Sequence, residues 1–347
     1  MTRPLSQLAG PLALAGLLNL GLAATAQAQS SVQLYGLMDM SAGQFQTAGT
    51  EKVWKADSGN MTTSFIGFKG TEDLGGGLKA VFKIEHFLRA DQGAAGRFNG
   101  DAFWARNAYV GLQGEFGSAT LGRNTTPLFV STLIFNAIGD SFGFSPSIRQ
   151  LFTPSTGLGM LPFFGDTGWS NSMLYSSPNY GGLSFSLLGN LGEGAAGANG
   201  KNLGANILYF SGPLSGTFAY QQVKNGAFGT PAGFDKQDTW QLGGAYDFGA
   251  AKVFAQYTSV KTAATVDTST KLWGLGVSVP IGAGKLLAQY GTATADVGAT
   301  DVKNKTLTVG YDYNLSKNTD VYAMVMNDKV TAASTGNSFA AGIRLRY

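Results

Sequence analysis

The 347-residue chain contains no cysteine and a single histidine, His86. Disulfides, iron–sulfur clusters and thiolate metal sites are thereby excluded, and no clustered carboxylates stand in for them. Charge is also scarce. Asp, Glu, Lys and Arg make up 13% of the residues, where ordinary soluble domains carry about 25%. The formal net charge of +3, with no basic run interleaved with aromatics, gives no support for nucleic acid as a partner. Beyond residue 28 no run of 18 apolar residues occurs, so no helical membrane span is expected. What is abundant is glycine, with 50 residues, and aromatic side chains, at 12%.

The first 28 residues read as an export signal. Arg3 supplies the positive start, "LALAGLLNLGLAA" (12–24) the apolar stretch, and Ala26-Gln27-Ala28 a small-x-small cleavage site. About 13 apolar residues are too few for a bilayer-crossing helix, which needs roughly 20. The expected division is a cleaved signal peptide, 1–28, and one domain, 29–347. An exported chain poor in charge, rich in Gly and aromatics, and free of apolar helices has few places to reside.

Strand-like alternation bounded by turn residues recurs sixteen times, at about 32–43, 61–70, 78–89, 102–113, 116–124, 170–178, 182–190, 203–211, 214–224, 237–248, 251–261, 270–279, 284–294, 302–313, 318–327 and 337–347. Short connections such as "GE", "NYG", "GP" and "NLSK" alternate with long ones, at 44–60, 90–101, 125–169, 191–202, 225–236, 262–269, 295–301 and 328–336. This alternation predicts an all-β, antiparallel, up-and-down transmembrane barrel with short turns at one rim and long loops at the other. Sixteen strands are enough to enclose a water-filled channel.

The barrel decides which way each strand faces. Leu307, Val309, Tyr311 and Tyr313 share one face, and Thr306, Thr308, Gly310 and Asp312 the other. Trp240, Leu242 and Tyr246 likewise oppose Thr239, Gln241, Gly243 and Asp247. With lipid outside, the apolar set faces outward and the polar set faces the lumen. By the same parity Phe65, Lys69, Lys83 and Glu85 look into the channel. Arginines in a barrel wall are costly unless they meet water, which assigns Arg106 and Arg123 to the lumen as well. His86 shares parity with Ala80, Phe82 and Ile84 and reads as an outward wall residue. Asp57, Asp91, Asp235, Asp301 and Asp328 lie in separate loops and read as solvated rim charges.

Six stretches, in order, resemble the trimeric, sixteen-stranded general porins of betaproteobacterial outer membranes: "QSSVQLYGLMD" (29–39), "GFKGTEDLGGGLKAVFKIE" (67–85), "RNAYVGLQGEFGSATLGR" (106–123), "NSMLYSSPNYGGLSFS" (171–186), "GYDYNLSKNTDVYA" (310–323) and "GIRLRY" (342–347). The resemblance implies a homotrimer in the outer membrane, in contact with lipid and lipopolysaccharide. It also implies a third outer loop, here 125–169, folded into the lumen as a constriction. Basic residues, here Arg106, Arg123 and Lys83, would gather opposite that loop, facing Asp140 or Asp166. The terminal Tyr347 would be read by the barrel assembly machinery.

The chain departs from its relatives where the constriction is built. Phe65 stands where many carry Arg, Gly168-Trp169-Ser170 where another Arg is usual, and Phe163, in "LPFFGD" (161–166), where enteric porins have Glu. Less charge on both sides implies weak ion selectivity, tilted towards anions. The loop aromatics Phe129, Phe135, Phe142, Phe144, Phe152, Phe163 and Phe164 either narrow the pore with apolar surface or pin the loop to the wall as a small core.

Enzymatic readings fare poorly. "GAAGANGKN" (194–202) lacks the first Gly of a phosphate loop and any Ser or Thr after Lys201. His86 lacks a nucleophile and an orienting acid. No cofactor is implied. The expected function is passive diffusion of small hydrophilic solutes and ions. The alternatives are a substrate-selective channel with a saturable site on the same fold, a barrel enzyme, or an exported β-sandwich adhesin.

Overall fold

The computed structural model describes residues 31–190, 201–224, 230, 233–296, 298 and 301–347. The expected signal peptide and most of the 191–202 loop lie outside these residues. The strands, in chain order, are β1 Ser31–Phe45, β2 Val53–Ser58, β3 Phe65–Gly75, β4 Leu78–Arg89, β5 Ala94–Ala95, β6 Asn107–Gly114, β7 Gly117–Thr125, β8 Gly168–Ser176 and β9 Leu183–Asn190. They continue as β10 Leu203–Ser211, β11 Leu214–Val223, β12 Lys236–Asp247, β13 Lys252–Ala263, β14 Thr268–Ile281, β15 Gly284–Asp296, β16 Asp301–Asn314, β17 Thr319–Val330 and β18 Gly336–Arg346. Neighbours pair antiparallel, and β1 pairs with β18 from Leu37↔Arg346 to Gln44↔Phe339, which closes the sheet. Closure leaves no unpaired edge to the membrane interior.

Eighteen strands occupy sixteen wall positions, because two positions are broken. The lower part of β1 pairs with β3 and its upper part with β2. The lower part of β4 pairs with β6, and Leu88 and Arg89 at its top pair with β5. The second wall strand therefore does not run 61–70 as expected. Residues 59–64 bulge out of it, and 53–58, expected as loop, are strand. The cause is Asp39, buried on β1, whose carboxylate accepts the N–H groups of Met61 and Thr62, each at 2.7 Å. The fourth strand starts at Asn107 instead of 102, because 101–106 fold back across the wall. Phe103 stacks on His86 at 4.0 Å, and its carbonyl meets His86 Nδ1.

Alternation holds as the inside-out reading requires. Leu242, Trp273, Leu307, Val325, Phe339 and Ile343 are exposed on the outer surface, while Thr239, Gln241, Thr306, Thr308 and Asp312 are buried on the inner one. At the short-turn rim, Gly76 and Gly77 turn with φ of 59° and 80°, a region that favours residues without Cβ. Both ends of the described chain lie at this rim, where Gly36 and Tyr347 exchange N–H···O=C bonds. No helix among the described residues is long and apolar enough to cross a membrane.

Candidate pore and constriction

The long connection between β7 and β8 lies against the inner wall. It carries α1 (Pro127–Ile134) and α2 (Pro146–Phe152), each with proline in its first turn, capped by Thr126 and Ser145. The wall meets it with neutral dipoles. Asn206 Nδ2 donates to Pro127 O at 3.1 Å, Gln256 Nε2 to Thr132 O at 2.8 Å, and Gln241 Nε2 to Thr132 Oγ1 at 3.0 Å. Gln289 Nε2 donates to Ser147 Oγ at 2.8 Å and Thr308 Oγ1 to Phe144 O at 2.7 Å. Buried hydrogen bonds of this kind contribute about 1 kcal/mol each. Glycines let the loop approach: a Cβ on Gly276 would sit 2.9 Å from Ala137 Cβ, and one on Gly291 2.6 Å from Pro146 Cβ.

The apolar residues of the loop divide into two sets. Phe135 and Phe144 are buried, and Phe144 packs with Ala137, Ile138, Leu287, Met324 and Met326 against the wall. Phe129, Phe142, Phe152 and Phe163 instead line an open passage of about 880 Å³. They touch in sequence: Phe129 meets Phe142 at 6.2 Å and Phe152 at 5.2 Å, and Phe152 meets Phe163 edge-on at 5.2 Å. Both alternatives read from the sequence are thus realised, by different phenylalanines.

Beyond α1 the loop reaches the bulge at 59–64. Ser141 Oγ and the Gly143 N–H both donate to Asn60 O, at 2.6 and 3.0 Å, and Thr62 Oγ1 donates to Asp140 Oδ1 at 3.1 Å. Arg344 supports the bulge from below. It donates to Thr62 Oγ1 at 3.2 Å and is paired with Asp312 and Asp320 at 2.8 and 2.6 Å.

The remaining wall is charged. Glu85 is buried and accepts from Tyr35 at 2.6 Å, Arg106 at 2.7 Å and Asn107 at 2.5 Å. Arg106 lies over the Phe65 ring at 4.1 Å, so Phe65 is a platform beneath a lining cation. Arg123 does not line the passage. It pairs with Asp166 at 2.8 Å and donates to Ala105 O at 2.5 Å. Asp166 also receives Arg97, at 2.7 Å, and Arg97 is held by Asp101 at 2.9 Å. These guanidiniums hold Asp101 and Asp166 below the usual carboxylate range, and the two carboxylates in turn raise Arg97, in each case against the opposing effect of burial. Asp140 lacks a close cation, and burial pushes its carboxyl up. Lys69 and Lys83 pair across the sheet nearer the short-turn rim, over the Tyr35 and Tyr109 rings.

Several cations of the passage were not among those assigned to it from the sequence. Arg89, Arg97 and Arg149 line it together with Arg106 and Lys55. Arg97 and Arg149 sit in loops, where strand parity says nothing. Among the described residues the Arg149 guanidinium donates to the Phe142 and Gly143 carbonyls, at 3.4 and 3.3 Å, and stands 3.9 Å from Asp328. Burial lowers its proton affinity, with Asp328 opposing. Asp328 is no rim charge: it lies in β17, buried, accepting from Ala48 N, Asn304 and Thr306. No group of His, Asp and Glu able to hold a metal occurs among the described residues.

A closed transmembrane β-barrel with polar groups inside, apolar groups outside and an inward-folded loop defines a channel. The family model for Gram-negative porins matches residues 12–333, and the chain belongs to that family. Outer membrane porin protein 32 of Delftia acidovorans is 33% identical over 339 residues, 92% of this chain and 89% of that one. An outer membrane porin protein of Bordetella pertussis is 27% identical over 96% of this chain and 98% of its own length. Among solved structures, the anion-selective porin from Comamonas acidovorans superposes with a TM-score of 0.76 at 27% identity, covering 92% of this chain and all of that one. The protein is an outer-membrane porin, a water-filled channel for passive diffusion of small hydrophilic solutes and ions.

Proposed function

We propose that this porin passes small anions in weak preference to cations. The observation that carries the reading is the charge lining the passage. Lys55, Arg89, Arg97, Arg106 and Arg149 face it against Glu51, Asp57, Asp140 and Asp166. The balance is one positive charge, and Arg89 bonds, among the described residues, the neutral Asn99 and Ala95 O. A ring of partly matched charges tunes selectivity without blocking either sign. The similar porin from Comamonas acidovorans is anion-selective, which supports the same direction. Arg106, on its Phe65 platform, with Glu85 and with Asp166 held by Arg123, sets the charged side of the constriction, Asp140 and Phe163 belong to the loop side, and Lys69 and Lys83 extend the positive charge towards the short-turn rim.

The test is the reversal potential in a planar bilayer across a KCl gradient. A modest anion preference is expected, and Phe65→Arg should enlarge it, since a second guanidinium would stand beside Arg106. Strong cation selectivity in the wild type, or no anionward shift in the variant, overturns the reading.

In the same reading the chain is a passive channel with no catalysis of its own, exported by cleavage after Ala28. It folds with help from the assembly machinery, which reads Tyr347, and works as a homotrimer embedded among lipid and lipopolysaccharide. Family membership supports the trimer, and the exposed terminal aromatic that directly follows β18 supports the assembly signal.

A further inference from the structure

The passage has two chemically unlike sides. On the loop side, Phe129, Phe142, Phe152 and Phe163 form a continuous aromatic rail facing the open volume. Water gains nothing from such a surface, and small inorganic ions gain no contact from it. Set into the same segment is Arg149, whose guanidinium has, among the described residues, only long contacts to two carbonyls and a carboxylate at 3.9 Å. Arginine remains charged in such a setting, so the site holds a cation that is incompletely neutralised. Apolar lining with a few convergent charges is the composition of a small-molecule site, and about 880 Å³ lies within the range such sites occupy.

We propose that the constriction is a binding subsite for aromatic carboxylates. The carboxylate meets Arg149, and the ring lies along Phe142 and Phe152, the two members of the rail nearest Arg149 in the chain. Neither half suffices. A carboxylate without a ring meets a cation that water also solvates, and a neutral ring leaves that cation unmatched. Arg149 forks match carboxylate geometry, and ring–ring contact adds to area burial. The aromatic anion therefore pauses where chloride passes. The inference rests on the anion-preferring reading above and names the solute class that this reading leaves open.

The experiment is current block by benzoate, acetate and benzyl alcohol, added at equal concentrations to the full-length porin in a bilayer of stated salt. Each current is normalised to the open current of the same variant. Benzoate should reach half-block at a concentration at least about tenfold below acetate, and benzyl alcohol should not block. Phe152→Leu, which keeps an apolar side chain, should weaken benzoate about three- to tenfold and leave acetate unchanged. Arg149→Gln should weaken benzoate further, and Arg149→Lys should restore part of the loss. Equal block by benzoate and acetate, or no change in Phe152→Leu, overturns the subsite while the KCl reversal potential still reports anion preference. Loss of that preference in the wild type instead overturns the reading on which the subsite rests.

Discussion

The inner surface of this barrel is two different walls. Along β10–β15 it presents Asn206, Thr217, Gln241, Gln256 and Gln289, interrupted by Gly276 and Gly291, and nearly every one of these meets the inward loop. From β16 round through β1 to β8 it presents Asp312, Arg344, Asp39, Glu85, Arg106 and Arg123, paired among themselves, with Asp166 or with the bulge at 59–64. The contrast has a physical reason. Neutral dipoles hold a loop without adding a field to the channel, so the first wall fixes geometry and the second fixes electrostatics. The loop itself carries the join, with α1 and α2 on the neutral wall and Asp140 and Asp166 on the charged one.

If the walls divide labour in this way, damage to each should read out differently. The largest effect is expected at Asp39, fully buried and accepting from Met61 N, Thr62 N and the Tyr322 hydroxyl, the last at 2.6 Å. Asp39→Ala orphans two backbone donors and releases the seat of the loop tip, a loss of about 3 kcal/mol or more. It should lower the temperature at which the folded barrel loses its shifted mobility on gels, and make the channel noisy. Gln256→Leu, on the neutral wall, removes one buried bond to Thr132 O and should cost about 1–3 kcal/mol. It should leave the reversal potential where it was. An equal shift in selectivity from both substitutions would break the division.

Asp166 sharpens the comparison without much threat to the fold. It neutralises Arg97 and Arg123 together. Asp166→Asn keeps much of the hydrogen bonding but removes one acid from a passage whose lining exceeds neutrality by one. The ratio of anion to cation permeability should rise several-fold, with conductance of the same order. A cationward shift, or none, would mean that Asp166 is screened from the ion path.

How much of this was legible beforehand follows the same division. Strand parity has a period of two, and the membrane imposes it on every wall strand. The outward set around Leu307 and the inward set of Thr306, Thr308 and Asp312 were therefore readable from alternation alone. What alternation cannot report is a residue that leaves the ladder. "SGNMTT" carries turn residues, which suggested a strand start at 61, yet the carboxylate that gathers it lies on β1, at Asp39. "VWKADS" was hidden between two turn signals. Arg97, Arg149 and the partner choice of Arg123 depend on loop paths that no period encodes. The phenylalanines of the loop could be counted but not sorted, because burial against β15–β17 is a property of the docked loop.

The smallest effect expected is a pH dependence confined to the loop side. Burial raises the Asp140 carboxyl above its usual value, whereas Asp101 and Asp166 are held below theirs by arginines. The signs separate the three groups. A depressed carboxylate stabilises the fold above its unfolded pKa, and that contribution is lost only as pH falls through the lower folded value. The Arg97–Asp166–Arg123 cluster should therefore hold below the ordinary carboxylate range. A raised carboxyl is destabilising when ionised, and the strain is relieved as pH falls through its higher folded value. Asp140 is accordingly the first of the three to be neutralised on acidification, while the docked loop stays in place. One acid is lost from the lining and no cation, so anion preference should increase slightly as pH falls towards the ordinary carboxylate range. Asp140→Asn should already show that increase at neutral pH and lose the pH step. Reversal potentials measured at a series of pH values for the two proteins decide the matter, and an unchanged step in the variant would move the titrating group to the charged wall.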